Sequence, residues 1–205
     1  MRRSKKLIAV ILALSLIGAI WQIYTTFKPS DVVVLRLGES YEQVRARSRS
    51  SLPSRDPSWD PLALVIAKLH FDDPEYGFTT PVSVFLSMGY SGPQNSNVDS
   101  VQLSPQLEPL SLDQVLTIVM NIQEQLLKRG WHPFQYSRMR PIEDTPQFRR
   151  LIRECDFPMS VWNGGEKYQV AIDVGCHSIP QQPGKERYVV TLELGPQFWT
   201  DRPGE

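Results

Sequence analysis

From Asp31 onward the chain switches repeatedly between the two-residue period of strands and the 3.6-residue period of helices. Asp31 to Leu37 is rich in Val and Leu and reads as a short strand that Gly38 breaks. Ser40 opens a helix with Gln43 as its capping-box partner and Val44 on the core side. A polar stretch with Pro53 and Pro57 follows. Ala63, Val65, Ala67, Leu69 and Phe71 then alternate as a strand, although Leu64 and Ile66 on the other face leave a buried helix open. Val82, Val84, Leu86 and Met88 alternate and predict one face of a further strand, and Val98 to Leu103 predicts another.

The strongest helix signal begins at Ser111, with Gln114 completing a capping box. Leu112, Val115, Leu116, Val119, Ile122 and Leu126 form its apolar stripe. Gly130 is the expected left-handed stop, with Trp131 folding back onto Leu126. A shorter helix is predicted from Thr145 to Cys155, with Pro146 in its first turn. Strands follow at Met159 to Trp162, at Tyr168 to Val174 and at Tyr188 to Leu194. The prediction is an α+β body of two layers, with antiparallel sheets and two main helices. Ser-x-x-Gln-Val recurs at Ser40 and Ser111, each time ahead of a run of strands. It suggests two duplicated α-β-β-β modules, 28–105 and 106–198, with a loose tail at 199–205; the alternative is chance recurrence of a common capping box. The strand-Gly38-x-Ser40 start is loosely similar to small outer-membrane assembly lipoproteins, whose acylated cysteine this chain lacks, and implies no family.

Ahead of this body lies a different pattern. Leu7 to Phe27 contains no charge over 21 residues. As a helix it would span about 31 Å, against the roughly 30 Å of a bilayer core. Trp21 and Tyr24 sit at one end, where amphipathic rings favour headgroups. Arg2, Arg3, Lys5 and Lys6 form a basic stub, 1–6, that should stay cytoplasmic. The reading is a single-pass signal-anchor, 7–27, with the body in a bacterial periplasm. A cleaved signal peptide shares the basic start and apolar run, but Gly18-Ala19 is a poor cleavage site. The membrane lipid is then one partner, and another envelope protein a second.

Charge sharpens this picture. Lysines and arginines number 22 and acids 22, so the net charge is zero. Five of the basic residues fall in the first 28, with no acid among them, which leaves 17 basic against 22 acidic in the rest. An acidic body argues against nucleic acid as partner. Arg45, Arg47 and Arg49 form a basic run close behind the anchor and are candidates for contact with anionic headgroups, with a solvated helix face as the alternative.

Cys155 and Cys176 are the two cysteines. Outside the cytoplasm they are expected to form a disulfide, the alternative being two buried thiols. Cys176-His177 also has the composition of a nucleophile beside its base. No phosphate loop, dinucleotide fingerprint or His-Glu-x-x-His motif occurs, and no cofactor or metal is expected. Asp72-Asp73 and Glu143-Asp144 sit in turns and read as solvated acids. Among the tryptophans Trp59, Trp131, Trp162 and Trp199, Trp162 and Trp199 are the candidates for partner contact. The resulting expectation is a binding module, not an enzyme: an accessory component of an envelope complex. An immunity-type inhibitor of an envelope-acting toxin is the alternative, and an envelope enzyme using Cys176 and His177 the third option.

Overall fold

The branched and aromatic runs of the body do form strands, and they join into one sheet. In the computed structural model, residues 31–50, 52–54, 65–91, 96–177 and 186–200 are described. The strands are β1 (Val32–Leu35), β2 (Ile66–Phe71), β3 (Phe78–Ser91), β4 (Asn97–Ser104), β5 (His132–Pro133), β6 (Met159–Gly164), β7 (Tyr168–His177) and β8 (Arg187–Gly195). Their order across the sheet is β1-β2-β3-β4-β8-β7-β6-β5. Two chain-local sets of four therefore meet at the antiparallel β4–β8 pair, where Val101 faces Leu194 and Leu103 faces Leu192.

The sheet is mixed. β1 runs parallel to β2, because the chain crosses over through helix α1 (Tyr41–Arg47) before pairing, whereas the other pairs are antiparallel. The expected all-antiparallel arrangement therefore fails at this edge. Three α-helices are described, each where its sequence signal falls: α1, α2 (Leu112–Lys128) and α3 (Pro146–Arg153).

Each helix start follows its sequence signal. The Ser40–Gln43 and Ser111–Gln114 capping boxes both form. The Thr145 hydroxyl accepts from the Phe148 amide. Gly130 (φ +74°) ends α2, with Gly130 N–H donating to Leu127 O at 3.2 Å and Trp131 N–H to Leu126 O at 3.1 Å. That is the paired bonding of a Schellman turn. The helices cover one sheet face and share a core with it, including Val115, Ile122, Phe85, Leu103, Ile172 and Leu192. On the opposite face, Phe134, Val161 and Ala171 form a second small cluster beneath Tyr136, Met139, Met159 and Trp199.

β3 departs from the alternation of its sequence. The register shifts between Phe85 and Ser87. Phe85 and Met88 are therefore both buried, while Leu86 is 42% exposed. Val82 and Val84 lie on the face opposite Phe85 and are half-buried. The bulge breaks the common facing expected for Val82, Val84, Leu86 and Met88.

No helix among the described residues is long and apolar enough to cross a membrane. The Leu7–Phe27 segment lies outside the described residues.

Candidate functional site: a cationic, aromatic groove beside β6

Between β5 and α3 the chain leaves the sheet and returns, and this excursion builds one wall of a groove. Phe134 and Ile142, both buried, hold its two ends. The Gln123 side chain fastens the second end like a strand neighbour: its Nε2 donates to Ile142 O at 2.8 Å and its Oε1 accepts from Ile142 N–H at 2.9 Å. Between these ends, Tyr136 to Arg140 includes a short 3₁₀ turn, Ser137–Met139. Phe148 and Leu151 of α3 form the floor. The loop Asp156-Phe157-Pro158 and the start of β6 form the far wall. The groove encloses about 840 Å³.

Its chemistry is mixed. Phe157 is 59% exposed. Arg138 and Arg140 are exposed on the near wall, and neither has a carboxylate partner among the described residues. Arg140 lies with its guanidinium carbon 5.0 Å from the Phe148 ring centre, a cation–π contact. Asp156 is the one acid lining the groove among the described residues.

The far wall is held in a demanding conformation. Cys155 (φ +58°) and Phe157 (φ +40°) are both left-handed without being glycine. Such backbone costs about 1–2 kcal/mol per residue and needs support. Cys155 supplies it through the disulfide to Cys176 on β7, with sulfurs 2.05 Å apart and Cα atoms 5.5 Å apart. Asp156 N–H donates to Leu151 O at 3.0 Å. Gly175 on β7 leaves room for the Phe157 ring: a Cβ there would stand 3.4 Å from it. Arg149 ties α3 to its surroundings through Asp144 and through Asp113 of α2, the latter at 2.7 Å.

The residues singled out from sequence are dispersed. Cys155 and Cys176 are bonded to each other, which leaves His177 no thiol to deprotonate. Trp162 is 3% exposed and belongs to the helix-side core, so it offers no surface to a partner, while its neighbour Val161 is buried on the other face. Trp199 is half-buried over the second cluster and is not loose: its N–H donates to Gln169 Oε1 and its carbonyl accepts from Gln169 Nε2, both at 3.0 Å. Arg45 pairs with Glu42 at 3.2 Å and donates to Leu52 O. Arg47 bridges Glu39 at 2.8 Å and Asp72 at 3.3 Å. Arg49 is exposed. Trp59 lies outside the described residues.

The turn acids have structural partners. Burial pushes the Asp73 carboxyl up, but hydrogen bonds from the Tyr76 and Glu75 amides and the Tyr168 hydroxyl outweigh it and hold the group below its usual range. Asp173, on the sheet face away from the helices, is the opposite case. Burial, with the Glu193 carboxylate adding to it, pushes Asp173 up to about 6. No group of three or more His, Cys, Asp or Glu suited to a metal occurs among the described residues.

Sequence reasoning passed over Arg138, Arg140 and Phe157. Their signal was faint: Arg138-Met139-Arg140 alternates cation and apolar residue, and Phe157 stands in a loop beside a cysteine. No family model matches the chain, and no curated protein or solved structure matches it.

Proposed function

We propose that this chain is a binding module, held outside the cytoplasm by an N-terminal anchor, that acts as an accessory component of an envelope complex through the groove beside β6. The observation that carries this reading is Phe157. It is a large apolar side chain, 59% exposed, on left-handed backbone clamped by the disulfide. Strain of this kind is stored where a protein presents a group to something else. Across the groove Arg138 and Arg140, which have no carboxylate partner among the described residues, supply orientation, and the aromatic-plus-arginine composition is that of interface anchors. The apolar run Leu7–Phe27 and the basic stub before it support the tether. The membrane lipid is accordingly a partner of the anchor and an envelope protein a partner of the body.

The test is co-purification after crosslinking in native membranes. A defined set of envelope proteins should accompany the full chain. Phe157→Asp should remove them, while Leu107→Asp, at a residue 58% exposed that does not line the groove, should not. Retention of the set by Phe157→Asp at unchanged melting temperature would contradict the reading.

A further inference from the structure

The sheet face away from the helices is aliphatic at its β1 end. Val33, Ala67, Leu69 and Phe85 pack into the helix-side core. By alternation Val32, Val34, Ile66 and Lys68 point the other way, as Val82 and Val84 do. The ladders set Val32 beside Lys68, Lys68 beside Val82, and Ile66 beside Val84. Ile66 is 52% exposed, and Leu86, at the bulge, 42%. The edge of β1 is closed to an added strand: Val34 N–H donates to Ser48 Oγ and Arg49 N–H donates to Val32 O, both at 3.0 Å. What this end of the sheet offers is therefore a face and not an edge.

Two observations select what covers it. The first is charge. β1, β2 and β3 contain no acidic residue. Lys68 stands among the aliphatic side chains with no carboxylate partner among the described residues. The acids Asp173 and Glu193 of the same face lie on β7 and β8, beyond β4. The second is reach. The apolar run ends at Phe27 and β1 starts at Val32. Five peptide steps span at most about 18 Å. An anchor at Leu7–Phe27 thus holds β1, and not the acidic strands, close to the bilayer surface.

We propose that the open face of β1, β2 and β3 lies on the membrane itself, seating Ile66 and Leu86 at the boundary between headgroups and acyl chains and Lys68 on the lipid phosphates. This inference rests on the anchor of the binding-module reading and adds a second membrane contact, made by the folded body. Apolar side chains around a cation suit the interface, which such surfaces enter by about 5–10 Å. Lysine fits there because its stem stays among apolar neighbours while its ammonium reaches the phosphates. A patch this small would hold a free protein weakly. The short tether makes the contact intramolecular, so a modest affinity is enough. A second copy stacked on this face would bury Lys68 with no acid from the same patch to pair it.

The test uses the full disulfide-bonded chain reconstituted into vesicles of phosphatidylcholine and phosphatidylglycerol. A nitrobenzoxadiazole label is attached through Ile66→Cys, through Leu86→Cys or, as control, through Leu127→Cys, at a residue 62% exposed on the helix that covers the other face. Acyl chains brominated near the headgroup should quench the label at 66 and 86 and leave it bright at 127. Lys68→Glu should shift the ratio of seated to free body about fivefold or more in these vesicles, the factor one cation contributes near an anionic surface. It should change little in phosphatidylcholine alone. Equal quenching at all three positions, or none at any, in chains that float with the vesicles would overturn the inference and leave the anchor standing. A label at 86 shielded from water but untouched by bromine, with crosslinks from 86 to 86, would assign the face to a second copy and overturn it too. Chains that fail to float would remove the anchor and this inference with it.

Discussion

Gln123 shows how much of this structure depends on single polar side chains in apolar surroundings. It is 5% exposed and serves both backbone groups of Ile142. Gln106 and Gln169 do similar work, Gln106 between Tyr188, Val190 and Glu108, and Gln169 on the Phe198–Trp199 backbone. Gln123→Leu would leave an amide and a carbonyl unpaired in the core. It should cost about 2–6 kcal/mol, at 1–3 kcal/mol per stranded group, in a chemical denaturation curve. Asp173 makes a prediction with a sign. Its folded pKa, about 6, lies above the ordinary value of 3.8, so the folded state holds the proton more tightly than the unfolded chain. The charge therefore costs nothing below pH 4, and the penalty grows as the pH rises to about 6, reaching on the order of 2 kcal/mol above it. Asp173→Asn should raise the melting temperature at pH 8 and leave it unchanged at pH 3.5. These buried partnerships could not be read from the sequence, where a glutamine in a helix looks like any solvated residue.

At the scale of elements, the local signals were clear. The capping boxes at Ser40 and Ser111 and the Gly130 stop are legible because each involves residues within one turn of one another. The cysteine pairing was legible from the count of two, together with the oxidising compartment the sequence led us to expect. What failed was long-range or backbone-dependent. The bulge in β3 reverses the facing of its second half because of how the strand registers against β4, and alternation carries no mark of that. The left-handed residues at Cys155 and Phe157 went unseen for a related reason, since both types ordinarily avoid that backbone. Their role is testable. Phe157→Gly relieves the backbone and should hold or raise thermal stability while abolishing partner capture. Reduction of Cys155–Cys176, whose separation is 21 residues, should cost about 3 kcal/mol in the chain-entropy view. A thermal melt with and without reductant reads this directly. It should also weaken partner capture, because the clamp on the far wall is released.

At the scale of the whole molecule, the class was legible and the layout was not. Alternation in Tyr168–Val174 and Tyr188–Leu194 announced strands, and the apolar stripe of α2 announced the helix that covers them. Nothing local announced that β4 would pair with β8, which joins residues some ninety positions apart into a continuous sheet. The helices cover one face of the sheet, a smaller cluster covers part of the other, and the groove lies at one end beside the two-residue strand β5. If the chain binds as proposed, this end of the sheet meets the partner. A photo-crosslinking residue placed at Phe157 of the full chain, in the native membrane, tests it most directly. One discrete adduct is expected at position 157 and none from the same residue placed at Leu107. Adducts from position 107 with none from position 157 would contradict it.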